Sequence, residues 1–205
     1  MKPDYWERAA RELAARDAVM EGLIARFPNI ALRGRGDAFA TLARSIVGQQ
    51  ISVKAADSVW QRFAATVGTM TPRLVSETPA QQLREAGLSR QKIAYLHDLS
   101  QRFVDGTLRV SQWPALEDDA LIAELTQVKG IGRWTAEMFL IFHLLRPDVL
   151  PVADLGLRKA ASLHYNRGRP ISLPKLRKLA KAWVPWRSVA TWYLWRSLDP
   201  LPVEY

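Results

Sequence analysis

The sequence predicts an all-α protein, and three observations carry that prediction. Apolar residues recur with the period of about 3.6 that a helix needs to present one face to a core. Strand-like alternation is scarce. The periodic stretches are bounded by residues that start and stop helices. Residues 6–26 form the first stretch and are expected to be one helix, with Leu13, Met20, Leu23 and Ile24 on its apolar face. Asp37 can cap a helix carrying Phe39, Leu42 and Ile46. Ser52 can cap the next, with Val53, Ala56, Val59, Trp60 and Phe63 facing inward. Thr71-Pro72 and Thr78-Pro79 each place a capping hydroxyl before a proline suited to the first helical turn. Ser89 opens a helix over 90–104 that Gly106 closes. Helices are then expected over 118–125, 133–145, 154–164, 172–183 and 186–197, about ten in all.

The run Leu125-Thr126-Gln127-Val128-Lys129-Gly130-Ile131-Gly132-Arg133-Trp134-Thr135-Ala136 joins two of these helices. Gly130 and Gly132 allow a tight turn and a close approach to another surface. The turn opens the second helix, whose first amides lack intrahelical acceptors and carry the positive end of the dipole. Together these features suit a phosphate, although a Gly-x-Gly turn alone is most often a simple connection. One helix further on comes Leu150-Pro151-Val152-Ala153-Asp154-Leu155-Gly156-Leu157-Arg158.

The two segments together resemble the helix-hairpin-helix superfamily of base-excision DNA glycosylases. Val128-Lys129-Gly130-Ile131-Gly132 matches the hairpin that grips the DNA backbone, and Asp154 falls at the catalytic aspartate. Ala43-Arg44-Ser45-Ile46-Val47-Gly48-Gln49-Gln50-Ile51-Ser52 looks like the segment that probes the duplex. Trp183-Val184-Pro185-Trp186-Arg187-Ser188-Val189-Ala190 looks like the C-terminal segment of the DNA-3-methyladenine glycosylase II branch. The resemblance runs from about residue 37 to residue 198 and implies two helical lobes. A central lobe over 37–146 would end in the hairpin. A second lobe, 1–36 with 147–205, would carry Asp154, and DNA would lie in the cleft between them. Longer members of the branch carry a β-rich domain ahead of this core, for which the 36 residues before Asp37 leave no room.

Bulk properties agree with this reading. The 29 Lys and Arg against 20 Asp and Glu give a net charge of +9, which favours polyanionic partners. There is no cysteine, so disulfides, thiolate zinc sites and iron–sulfur clusters are excluded. Relatives that act on oxidised pyrimidines or mismatched adenine commonly carry a four-cysteine cluster, which this chain cannot form. No apolar run approaches the ~18 residues of a membrane span, and the N-terminus shows no signal-peptide core. The expectation is a monomer acting on double-stranded DNA, cytoplasmic in a bacterium or nuclear in a eukaryote.

The chemistry follows from residue types. An N-glycosidic bond breaks through an oxocarbenium-like sugar, so an ionised carboxylate nearby stabilises the developing positive charge and can orient or deprotonate water. Asp154 stands just ahead of a helix, where amides and the dipole suit a negative charge. It can be an N-cap and a catalyst at once. Asp118, Asp119 and Asp148 are its nearest rivals. Bifunctional members of the superfamily carry a lysine one or two residues after the hairpin. Arg133 and Trp134 stand there, while Lys129 and Lys159 read as phosphate-facing or solvated. The resemblance therefore implies a monofunctional hydrolase. Two alternatives stay open: a glycosylase for deaminated or oxidised bases, whose main branches a lysine after the hairpin or a cysteine cluster would favour, and a non-catalytic DNA-binding module, which loss of Asp154 or of the pocket tryptophans would favour.

Eight tryptophans suggest the substrate. Trp60, Trp113, Trp192 and Trp195 read as core residues. The resemblance places Trp134 and Trp186 at the base pocket. Bases alkylated at N3 or N7, such as 3-methyladenine and 7-methylguanine, are cationic and would be held on an indole face. Met138, one turn after Trp134, stands where the family pattern has an aromatic residue. Gln50 falls at the wedge position, where a side chain fills the gap left by a flipped nucleotide. Hairpins of this family also hold a monovalent cation, so Thr126, Val128 and Gly130 would offer backbone carbonyls to Na+ or K+. No other cofactor is implied. His97, His143 and His164 lack transition-metal spacing.

Overall fold

The computed structural model describes residues 2–28, 30–34 and 36–198. Among them the chain forms twelve α-helices: α1 (Trp6–Arg16), α2 (Ala18–Arg26), α3 (Ala38–Gly48), α4 (Val53–Val67), α5 (Pro72–Glu77), α6 (Ala80–Glu85), α7 (Arg90–Val104), α8 (Asp118–Leu125), α9 (Arg133–Phe142), α10 (Leu155–Tyr165), α11 (Leu173–Leu179) and α12 (Arg187–Leu198). Short 3-10 turns cover Val110–Ala115 and Ala180–Trp183. The described residues contain no strand, as the periodicity predicts. The helices fall into two compact units, one made of 1–34 with 140–205 and the other of 35–139, and α9 spans the boundary in sequence.

The unit of 35–139 is built around α7, which packs against α3, α5 and α6. A ladder of edge-on rings runs through it: Phe39 to Phe103 at 5.2 Å, Phe103 to Trp113 at 6.0 Å and Trp113 to Phe139 at 5.5 Å. Such contacts add to the burial of the rings themselves. Trp113 keeps its N–H satisfied by donating to Glu124 Oε1 at 2.8 Å. In the other unit α10 and α1 both pack on α12. Trp6 meets Trp192 edge-on at 5.2 Å beside Tyr193.

Several sequence expectations need correction. The stretch 6–26 is two helices, because Asp17 turns extended at φ −146° and its Oδ1 accepts the backbone N–H groups of Val19 and Met20. Its Oδ2 accepts from Tyr165 Oη at 2.8 Å and Trp183 Nε1 at 3.1 Å, so the break joins α2 to α10 and the turn after α11. Burial and the neighbouring Asp17 push the Tyr165 hydroxyl well above its ordinary pKa. On α4 only Phe63 is fully buried, and Val53 is 63% exposed. Thr71 caps α5 as expected, but Thr78 donates back to the Leu74 carbonyl and leaves α6 without a side-chain cap. The helix after the hairpin stops at Phe142. Leu145 adopts φ 56° and the Arg146 N–H reaches back to the Leu140 carbonyl. The stretch 172–183 is helical only to Leu179 before tightening into the 3-10 turn.

Candidate active site

Asp154 caps α10. Its backbone is extended, and its Oδ1 accepts the N–H of Leu157 at 2.6 Å. The same oxygen accepts the indole N–H of Trp195 at 2.7 Å. The residue is 8% exposed. Two donors on one oxygen, at the positive end of a helix, complement a negative charge and fix its position. Gly156 makes this arrangement fit. A Cβ there would stand 3.0 Å from Trp195 Cδ1 and 3.2 Å from Asp154 Oδ1. Trp195 is held in turn by stacking on Phe142, with centroids 5.7 Å apart and planes 11° from parallel. Trp195 reads as a core residue in the sequence. The structure corrects that reading, since its N–H serves Asp154 and its ring is only partly buried.

The rival carboxylates have other partners. Arg187 holds Asp148 in a fork, Nε to Oδ1 at 2.7 Å and Nη2 to Oδ2 at 2.8 Å. Asp119 pairs with Arg133 at 3.0 Å, and Arg133 also reaches the buried Glu137. Its hydrogen bond to Asp119 raises the Arg133 pKa despite some desolvation.

The hairpin lies in the other unit, between α8 and α9. Gly130 takes φ 83°, and a Cβ on it would collide with the ring of Tyr95 from α7. Gly132 has open space around it. The Lys129 N–H donates to Asp98 Oδ2 at 2.9 Å, and the Ile131 N–H donates to the Val128 carbonyl at 3.0 Å. The N–H groups of Gly130 and Gly132 have no acceptor among the described residues. Of the four expected phosphate-binding residues, the two glycines therefore offer amides, and Lys129 offers its exposed ammonium. Two of the three expected cation-binding carbonyls already accept N–H donors: Gly130 from Gln49 Nε2 at 2.8 Å, and Val128 from Ile131. The described residues contain no group of His, Asp or Glu arranged to hold a metal.

Gln50 follows α3 as an exposed residue in the left-handed region, φ 59°. The Lys92 ammonium donates to the Val47 carbonyl at 2.6 Å behind it, and burial lowers the Lys92 pKa. Trp134 is 40% exposed near the start of α9, and Met138 is 7% exposed. Trp186 is 4% exposed. Its N–H donates to Glu12 Oε2 at 2.8 Å, its ring stacks on Tyr5, and the Arg8 guanidinium lies 4.9 Å from its centre. The residues missed in the sequence are Trp195, Gly156, Gln49, Tyr95 and Asp98. Only Gln49, beside the expected wedge, carried a local signal.

The profile of the HhH-GPD superfamily base excision DNA repair proteins matches residues 43–185. The chain belongs to this superfamily. The solved structure of a DNA-3-methyladenine glycosidase from Bacillus halodurans superposes with TM-score 0.87 at 34% identity, covering 93% of this chain and 89% of that one. The 3-methyladenine DNA glycosylase Mag1 of Schizosaccharomyces pombe, solved with abasic DNA, superposes with TM-score 0.79 at 28% identity, covering 97% and 99%. The Bacillus subtilis protein YfjP is 31% identical over 166 residues, 77% of this HhH-GPD chain, which spans 58% of its length. No helix among the described residues is long and apolar enough to cross a membrane.

Proposed function

We propose that this HhH-GPD chain hydrolyses the N-glycosidic bond of alkylated bases in double-stranded DNA, without a strand-cutting step. The observation that carries the reading is Asp154, a buried carboxylate fixed by two N–H donors at a helix start. Pinned there, it stabilises an oxocarbenium-like sugar with little reorganisation and orients the attacking water. Base cations such as 3-methyladenine and 7-methylguanine leave readily, so no strong general acid is needed. The open Gly132 turn and the Lys129 ammonium would grip the DNA backbone, and Gln50 would fill the gap after flipping.

Trp134, exposed on α9, is the aromatic wall for the cationic base, and Trp195 keeps Asp154 aligned. The absence of lyase chemistry rests on Arg133 and Trp134 following the hairpin, with no lysine there to form a Schiff base. The chemistry requires no cofactor. In this reading a central lobe, 37–146, would grip the DNA through the hairpin, and a second lobe, 1–36 with 147–205, would supply Asp154.

The test is release of free bases from methylated duplex DNA, identified by mass. Wild type should release 3-methyladenine and 7-methylguanine, and Asp154→Asn should release neither while still binding the DNA. Turnover by Asp154→Asn at the wild-type rate would remove Asp154 from its role.

A further inference from the structure

Gln49 and Gln50 are adjacent, yet the structure treats them in opposite ways. Gln50 makes no side-chain hydrogen bond among the described residues and sits exposed in the left-handed region. That conformation is strained for a residue with a Cβ and persists only where surrounding contacts impose it. Gln49 supplies such a contact. It is the C-cap of α3, and its Nε2–H donates to the carbonyl of Gly130, 81 residues away, at 2.8 Å. Gly130 is the residue whose φ of 83° makes the hairpin turn and whose missing Cβ leaves room for the Tyr95 ring. A second brace acts one turn back, where Lys92 Nζ donates to the Val47 carbonyl. Tyr95 and Lys92 both belong to α7, as does Asp98, which holds the Lys129 N–H. The last turn of α3 and the hairpin are therefore both held by α7, and the Gln49 amide ties the residue after α3 to the hairpin.

We propose that Gln49 is a positioning residue for base flipping, tying the Gln50 loop to the hairpin so that gripping the backbone and inserting Gln50 occur in one fixed geometry. Without the tie the hairpin would still hold phosphates, but Gln50 could relax out of its strained conformation. Binding and wedging would then come apart. The inference rests on the proposed glycosylase reading and on Gln50 as the inserted residue.

The experiment uses a duplex with 2-aminopurine opposite a tetrahydrofuran abasic analogue. Insertion of a side chain unstacks the fluorophore and raises its emission. Wild type should raise emission, and Gln50→Ala should abolish most of that rise. Gln49→Leu should reduce the population of the inserted state roughly five- to tenfold, the scale of one part-buried hydrogen bond. Its affinity for undamaged duplex should stay within about twofold of wild type, because phosphate contacts set that affinity. The double variant should match Gln50→Ala alone, since Gln49 acts only through Gln50.

Gln49→Glu provides an internal check if leucine disturbs folding. An ionised carboxylate faces the Gly130 carbonyl without a proton to share, whereas a protonated one can donate. Emission with Gln49→Glu should therefore recover as the pH is lowered, while that of Gln49→Leu should not. Wild-type emission with Gln49→Leu, additive losses in the double variant, or an equal loss of affinity for undamaged DNA would each overturn the proposal. If Gln50→Ala itself behaved as wild type, the wedge reading would fall and take this inference with it. Base release by wild type would still stand, separating that outcome from failure of the glycosylase reading.

Discussion

Trp195 and Asp154 are 41 residues apart in sequence and share a 2.7 Å hydrogen bond in the structure. The indole N–H is a donor that does not titrate, so it holds the carboxylate oxygen without competing for its charge. Hydrogen bonds to charged groups are worth about 1.5–3 kcal/mol. Trp195→Phe keeps the ring against Phe142 but removes the donor. It should lower kcat at least about tenfold with little change in DNA affinity. Gly156→Ala should act in the same direction, because its Cβ would press on both partners at 3.0–3.2 Å. Single-turnover base release and a binding titration check both, and wild-type kcat in Trp195→Phe would show that the indole N–H is dispensable.

The two hairpin glycines should separate by stability. Gly130→Ala forces a Cβ into Tyr95 at a positive φ, so it should lower Tm by several degrees, the effect of about 1 kcal/mol or more. Gly132→Ala meets nothing within 4 Å, so Tm should not change. Any loss of DNA binding in Gly132→Ala must then come from the DNA approaching that amide. The loss should be equal across sequences, with log affinity falling roughly linearly with log salt. Loss in one sequence context alone would contradict a phosphate role.

The fold was legible because the caps are local. Asp37, Ser52, Thr71, Ser89 and Asp154 each cap the helix that their position predicts. Asp17 was missed because Leu13, Met20 and Leu23 keep helical spacing across it, and its value as a hub depends on Tyr165 and Trp183, far away in sequence. The candidate site divides the same way. Asp154 and the hairpin are contiguous motifs. Trp195 and Gly156 owe their roles to α12 lying against α10, which no spacing within either helix reveals. The burial of Trp186 behind Tyr5 and Glu12 was hidden for the same reason.

The lysines predict an intact product strand. Incubation with methylated DNA should leave abasic strands uncut until alkali is added, and borohydride should trap no protein–DNA adduct. Lys92 is the amine to watch, since burial lowers its pKa from the ordinary lysine value. Its ammonium is committed to the Val47 carbonyl, which argues against attack. A trapped adduct that disappeared in Lys92→Arg would assign it a lyase step.

His164 should make stability depend on pH. Burial, then the nearby Arg26, hold its pKa below the ordinary 6.5, and its Nε2 lies 2.9 Å from Ser197 Oγ. Between the lowered folded value and 6.5 the unfolded chain binds more protons, so stability rises with pH through that window and falls on acidification. Urea midpoints at about pH 5 and pH 7.5 should differ less in His164→Gln than in wild type. An unchanged difference would place the acid sensitivity elsewhere.

Trp134 and Trp186 should respond differently to the charge of the substrate. Trp186 already has a cation near its ring, with Arg8 at 4.9 Å, and is 4% exposed, so removing it takes away packing. Trp186→Leu should lower Tm and slow release of every base alike. Trp134 is 40% exposed, so its face can meet a base. Replacing it with leucine keeps apolar bulk and removes the quadrupole. Trp134→Leu should slow excision of 3-methyladenine and 7-methylguanine relative to neutral hypoxanthine by about fivefold, or about 1 kcal/mol. The ratio cancels differences in leaving-group ability, because each base is compared with itself in wild type. A selectivity change in Trp186→Leu with none in Trp134→Leu would reverse the assignment. Equal losses for charged and neutral bases in both would leave selectivity to the lability of the damaged bond.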